Sequence, residues 1–178
     1  GYIGSHAVVA LQEAGHTPII IDNLSNCESS VHQRLEQLTN TKIRCHVGDI
    51  RDEEFLRSVF EIQPIDAVIH FAAMKSVSES MEIPFEYYDN NVNGSITLTR
   101  IMDEYKVRHL IFSSTCAVYS PACPAPYDET MPTAPESIYA MTKLMMEQAF
   151  IGLAKVGKLS VAMLRYFNPI GNHPSGTI

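Results

Sequence analysis

Apolar positions along this chain alternate between two periods. Strand-length apolar runs lie at residues 17–22, 42–47, 67–71, 108–114 and 160–165, the fourth rich in Leu, Ile and Phe. Between them, apolar positions recur at helical spacing over residues 5–13, 30–38, 52–62 and 137–155. Gly15 closes the first of these helices, and Pro84, a good first-turn residue, opens a long one that runs through Asn93 and Gly94 to Tyr105. The proline-rich stretch 120–135 reads as a loop. Strands alternating with helices imply βαβ units, a parallel sheet and right-handed crossovers. The expectation is an α/β, doubly wound, Rossmann-type sheet in one domain over residues 1–178, with no internal repeat and no dividing linker.

Composition narrows the partners. Thirteen basic and 20 acidic residues give a formal charge of −7, which argues against nucleic acid or an anionic membrane surface. No apolar stretch is long enough to span a bilayer, and Cys27, Cys45, Cys116 and Cys123 lack metal-ligand spacing, so reduced thiols in the cytoplasm are expected. His70 sits in an apolar run, where a core histidine is more common than a metal ligand. The chain starts inside a motif and without Met, which suggests a fragment. In the strand order 3-2-1-4-5-6 the central first strand would precede Gly1, and its strand neighbours would lose ladder partners. A fragment of that kind is expected to be marginally stable alone, because each buried unpaired group costs about 1–3 kcal/mol.

The candidate chemistry begins at the first residue. Gly1 and Gly4, with Tyr2 and Ile3 between them, fit the back half of a glycine-rich dinucleotide loop, and a helix beginning at Ser5 would offer free N–H groups to phosphates. A plain helix start after a turn explains two glycines equally well. Asp22 closes a strand 18 residues after Gly4, near the spacing of the acid that holds a ribose 2′-hydroxyl; a carboxylate there favours NAD over NADP. Asn23 and Asn26 can add hydrogen bonds nearby, although turn chemistry also accounts for them. After the next strand, Asp49 could accept from an adenine amino group and Ile50 could cover its face. Phe71 and Ala72 leave a third strand with small residues following, and Lys75 and Asn90 are polar groups beside it.

A second set lies further along. Tyr139 and Lys143 are i, i+4 on one expected helix, so they share a face. Tyrosine is a poor base at its usual pKa of about 10, and a nearby ammonium would favour the phenolate. Thr115 ends the strand Phe112-Ser113-Ser114-Thr115, at the sheet edge where open α/β sheets bind ligands, and its hydroxyl could relay a proton. As a set, these residues suit a nicotinamide enzyme acting on a hydroxyl-bearing substrate.

At this point the chain resembles the extended short-chain dehydrogenase/reductases, and within them the nucleotide-sugar 4-epimerases. The matching stretches span essentially the whole chain. They are residues 1–6, 21–23, 48–50, 68–73 with Lys75, 87–94, 111–115, Tyr139 with Lys143, and 164–169 followed by Gly171, His173, Pro174 and Gly176. The resemblance implies NAD-dependent interconversion of UDP-glucose and UDP-galactose through a 4-keto intermediate. Tyr139 would take the proton of the sugar 4-hydroxyl, Thr115 would assist, and Lys143 would tune Tyr139 and bind ribose. Ser113 and Asn90 would border the cofactor, Tyr166 would lie near the nicotinamide, and Asn168, with Lys75, would reach the UDP-sugar. A homodimer is implied for the full-length protein. Ser120 departs from the glycine usual in the family, and Ala140, Met141 and Thr142 replace its Gly-Lys-Ser. Another nucleotide-sugar 4-epimerase, a 4,6-dehydratase or a non-catalytic dinucleotide-binding module are the alternatives. Cys116 and Ala117 supply neither the acid nor the base a dehydratase carries there, and an intact Tyr139–Lys143 pair tells against the non-catalytic reading.

Overall fold

The computed structural model describes residues 1–27 and 30–178, in two compact units: residues 1–49 with 168–178, and residues 50–167. The first unit contains helix α1 (Tyr2–Glu13), strand β1 (Ile19–Asp22), helix α2 (Ser30–Thr39) and strand β2 (Arg44–Val47). The strands are parallel, with Ile19 opposite Arg44 and Asp22 opposite Val47. Its core is Val8 and Val9 of α1, Leu35 of α2 and Ile43, with Ile20, Leu38 and Ile178 packed against them. Residues 168–178 are held to this unit by the bond from Tyr2 Oη to Gly171 O at 2.6 Å.

Helix α1 begins at Tyr2, a turn earlier than periodicity indicates, because the Gly1 carbonyl already accepts the Ser5 N–H at 2.9 Å. Gly4 therefore sits within the helix, and the free N–H groups are those of Tyr2, Ile3 and Gly4. At the other end Gly15, with φ of +85°, takes the left-handed conformation that turns the chain towards β1.

The second unit opens with α3 (Glu53–Ile62), whose start follows from its residues. Asp52 accepts the Phe55 N–H at 3.0 Å, and Glu53 and Glu54 complement the helix dipole. Strand β3 (Ala67–His70) comes next, then α4 (Val77–Glu82), α5 (Pro84–Tyr87), a π-helical turn (Tyr88–Asn93) and α6 (Gly94–Glu104). Strand β4 (His109–Thr115) ends in a 3₁₀ turn (Cys116–Val118), and α7 (Ile138–Lys155) and β5 (Ser160–Tyr166) complete the unit. The sheet is parallel in the order β3-β4-β5, with Ser114 opposite Arg165 and Thr115 opposite Tyr166. The buried core includes Leu56, Ile101, Met102, Leu110, Phe112 and Phe150, the last two rings edge to face at 4.9 Å.

The α/β pattern and parallel pairing agree with the Rossmann-type expectation. The observed strand pairs are those the 3-2-1-4-5-6 order requires for its second to sixth strands. The described strands form two separate sheets, β1-β2 and β3-β4-β5, in place of one continuous sheet. Two local features depart from the periodicity. Helix α4, capped by Ser76 accepting the Glu79 N–H, was not foreseen, since a six-residue helix carries too little pattern. The expected long helix from Pro84 is interrupted by the π turn, where an extra residue per turn shifts the face that follows. Among the described residues no helix is long and apolar enough to cross a membrane.

Candidate active site

Helix α7 starts where Ser137 Oγ accepts the Ala140 N–H at 3.2 Å, which puts Tyr139 in its first turn at the carboxyl end of the sheet. Thr115 stands at the last position of β4. Its Oγ1 accepts the Ala117 N–H at 3.2 Å, closing the 3₁₀ turn and leaving the hydroxyl proton available on the side of the Tyr139 phenol. Burial pushes the Tyr139 phenol above its usual pKa, the Thr115 hydrogen bond pulls it down, and Cys116 adds a smaller upward push.

Lys143 shares that helix face as expected, but its ammonium does not face the phenol. Nζ donates to the Ser113 carbonyl at 2.9 Å and lies 4.8 Å from the Phe112 ring centroid. Burial lowers its pKa to about 7, and Lys143 is not among the groups that shift Tyr139. In the chain's own field burial is the first cause for both groups, and Thr115 is the group that pulls the phenol pKa down.

Around this pair the second unit brings several expected residues together. Tyr166 is opposite Thr115 in the β4–β5 register. Lys75 is exposed, and its backbone is gripped on both sides. Asn91 accepts the Met74 N–H at 2.8 Å and donates to the Met74 carbonyl at 2.9 Å, while Tyr87 Oη accepts the Ser76 N–H at 3.0 Å. Asn90 donates to Asn91 Oδ1 at 2.9 Å and so supports that clamp. Phe71 and Ala72 follow the end of β3. The Ile50 side chain is buried and packs on Gly94, where an added Cβ would lie 2.8 Å from its Cδ1. His70 is a core histidine: Nε2 pairs with Ser95 Oγ at 2.8 Å, and burial lowers its pKa to about 3. Among the described residues no group of three His, Cys, Asp or Glu is arranged to hold a metal.

The first unit holds the dinucleotide candidates. Helix α1 has no side-chain cap and no acidic residue in its first turn, so its leading N–H groups and dipole suit an anion. A cleft of about 260 Å³ beside it is lined by Gly1, Tyr2, Ser5, Asn26 and Arg34 among others. Asp22 Oδ1 accepts the Leu24 N–H at 2.8 Å, leaving Oδ2 to accept from a hydroxyl. Asn23 Nδ2 donates to Asp49 Oδ2 at 3.1 Å, so that carboxylate is partly engaged within the protein. The uncapped helix start offers N–H donors that suit a pyrophosphate, and the strand-end carboxylate of Asp22 offers an acceptor that suits ribose hydroxyls. Asn168 belongs to this unit and is exposed.

Sequence reasoning missed Glu147, Ser114 and Arg165, which form a buried charged network under α7. The signal was present, since Glu147 continues the Tyr139–Lys143 spacing by another four residues.

The chain is similar to known proteins over its whole length. Residues 1–178 match the family described as the NAD dependent epimerase/dehydratase family. The chain is 49% identical, over 99% of its length, to a UDP-glucose 4-epimerase of Yersinia pestis, of which it covers 53%. It is 45% identical over its whole length to that of Dictyostelium discoideum, covering 52%. The crystal structure of a UDP-glucose 4-epimerase from Stenotrophomonas maltophila, with bound NAD and formylated UDP-arabinopyranose, superposes with a TM-score of 0.97 at 45% identity, over 100% of this chain and 53% of that one. The enzyme of Bifidobacterium longum, in complex with NAD+ and UDP, gives 0.95 at 36% identity, over 99% and 53%. The chain spans about half the length of the curated relatives it matches. On this evidence the chain belongs to the NAD dependent epimerase/dehydratase family.

Proposed function

We propose that the protein, completed to the length of its relatives, interconverts UDP-glucose and UDP-galactose by NAD-dependent epimerisation at C4. The observation that carries this is the Tyr139 phenol in the first turn of α7, close enough to Thr115 at the end of β4 for that hydroxyl to lower its pKa, on one helix face with Lys143. Tyr139 Oη removes the proton of the sugar 4-hydroxyl, and the Thr115 hydroxyl stabilises the phenolate and steers that proton. NAD, when bound, supplies the acceptor for the C4 hydride and a positive charge that favours the phenolate. The 4-keto sugar would then present its other face, the same hydride would return to C4, and Tyr139 would give the proton back to the reforming alcohol oxygen.

In this reading Gly1, Tyr2, Ile3, Gly4, Asp22, Asn23, Asn26, Asp49, Ile50, Phe71, Ala72, Lys75, Asn90, Ser113, Tyr139, Lys143 and Tyr166 border the cofactor. The uncapped start of α1 and the Asp22 carboxylate support it from the first unit. Lys75, Thr115, Tyr139 and Asn168 meet the UDP-sugar. A homodimer is part of the proposal. Neither nucleic acid nor membrane is a partner, in keeping with the acidic charge of −7, and the location is cytoplasmic.

The completed chain, incubated with UDP-galactose and no added NAD, should form UDP-glucose. Release of NAD on denaturation without turnover would leave the cofactor assignment standing and remove the substrate. No NAD, and no turnover when NAD is supplied, would overturn the reading.

A further inference from the structure

The stripe of Tyr139 and Lys143 continues one turn along α7 to Glu147, which is 2% exposed. Such a carboxylate is costly unless it is fully partnered. Its Oε1 accepts Ser114 Oγ at 2.5 Å and Arg165 Nε at 3.0 Å, and its Oε2 accepts Arg165 Nη2 at 2.6 Å. Ser114 and Arg165 are direct neighbours in the β4–β5 register, and the next pair in that register is Thr115 and Tyr166. One carboxylate therefore ties α7 to two strands a single residue short of the candidate proton-transfer site.

Glu147 does not act as the counter-ion of Lys143. The amine is bonded to the Ser113 carbonyl, and its shift has burial as its stated cause. The charge is matched by Arg165, whose guanidinium is further held over the Tyr119 ring at 4.7 Å. Tyr119 in turn stacks on Tyr127 of the 120–135 loop at 5.3 Å. Apolar packing of α7 through Met146 and Phe150 is non-directional, whereas a bidentate fork fixes both the rotation and the height of a helix. From Glu147 to Tyr139 the helix runs roughly 12 Å, so a small rotation at the anchor displaces the phenol.

We infer that Glu147, through Arg165 and Ser114, is a positioning residue that sets the Tyr139 phenol against the Thr115 hydroxyl. This rests on reading Tyr139 and Thr115 as the proton-transfer pair. Thr115 lowers the pKa of the Tyr139 phenol while burial and Cys116 raise it, so a helix displaced away from β4 weakens the contribution that favours the ionised form.

The test uses the completed chain and its Glu147→Gln, Arg165→Lys and Ser114→Ala variants. Steady-state kinetics with UDP-galactose are paired with titration of Tyr139, read as tyrosinate absorbance relative to a Tyr139→Phe background. Glu147→Gln should lower kcat by roughly tenfold to hundredfold with KM nearly unchanged. The phenol should titrate about one pH unit higher as Tyr139 moves away from Thr115. Arg165→Lys, which keeps the charge but not the fork, should fall between parent and Glu147→Gln. Unchanged kcat and titration, with only a lower melting temperature, would make the pair purely structural and overturn the inference. If the completed parent does not turn over UDP-galactose, the functional reading fails, and the titration shift still decides the positioning role. Should Glu147→Gln not fold, Ser114→Ala keeps the ion pair and is read the same way: an upward shift supports the inference and none overturns it.

Discussion

At the scale of single residues, the half-buried Tyr139 and the buried Lys143 carry the proposed chemistry. Tyr139 is the proposed acid and base, and proton transfer of that kind contributes about 10²- to 10⁴-fold to a rate. Tyr139→Phe in the completed chain should lose at least about 10²-fold in kcat while still co-purifying with NAD; full activity would remove Tyr139 from the mechanism. Lys143 is 4% exposed, and burial holds its pKa at about 7 instead of the usual 10.5. For a cation disfavoured by the fold, the unfolded chain binds more protons between those two values. Stability therefore rises with pH across that window, by at most about 1.4 kcal/mol per unit. Urea midpoints of the parent relative to Lys143→Met should climb from pH 7 to 9; a flat difference would mean that Lys143 stays protonated when buried. Both residues were legible in the sequence as an i, i+4 pair. Their environments were not, because burial is contributed by β4 and not by α7 itself.

At the scale of elements, the interrupted helix from Pro84 to Glu104 organises the second unit. Asn91 in the π turn is 2% exposed and holds both backbone groups of Met74, so Asn91→Ala should cost about 1–3 kcal/mol through the unpaired groups it leaves. Denaturant unfolding measures this, and a loss under about 0.5 kcal/mol would contradict the clamp. Gly94, directly after the π turn, sits under Ile50, whose Cδ1 and Cγ1 would be 2.8 and 2.9 Å from an added Cβ. Gly94→Ala should therefore destabilise by about 1–3 kcal/mol, and removing Cδ1 with Ile50→Val should recover part of it. Additive losses in the double variant would show that the clash lies elsewhere. The bounds of β4, α7 and β5 differ from the periodicity by about a residue, since Ser137 and a clean apolar run mark them locally. The π turn and α4 escaped it because their shapes depend on contacts to the 71–76 loop.

At the scale of the whole molecule, the two units are unequally built. The first has a two-stranded parallel sheet and a core of Val8, Val9, Leu35 and Ile43, whereas the second has three strands and a much larger set of buried side chains. Two strands alone are marginal in water, so the first unit should open more readily. Hydrogen exchange should be faster by about tenfold or more in β1 and β2 than in β4 and α7; equal protection would argue for one cooperative unit.

The sequence by itself determined the alternation of strands and helices, the parallel α/β class, and the shared face of Tyr139 and Lys143, because each is written in spacings of a few residues. Only the tertiary structure decided that Lys143 Nζ turns to Ser113, that Ile50 packs on Gly94, and that Glu147 meets Arg165 and Ser114. Those partners lie 18 to 44 residues apart along the chain, and which of them meet is set by how the strands pair and where α7 docks, a choice that local periodicity does not encode.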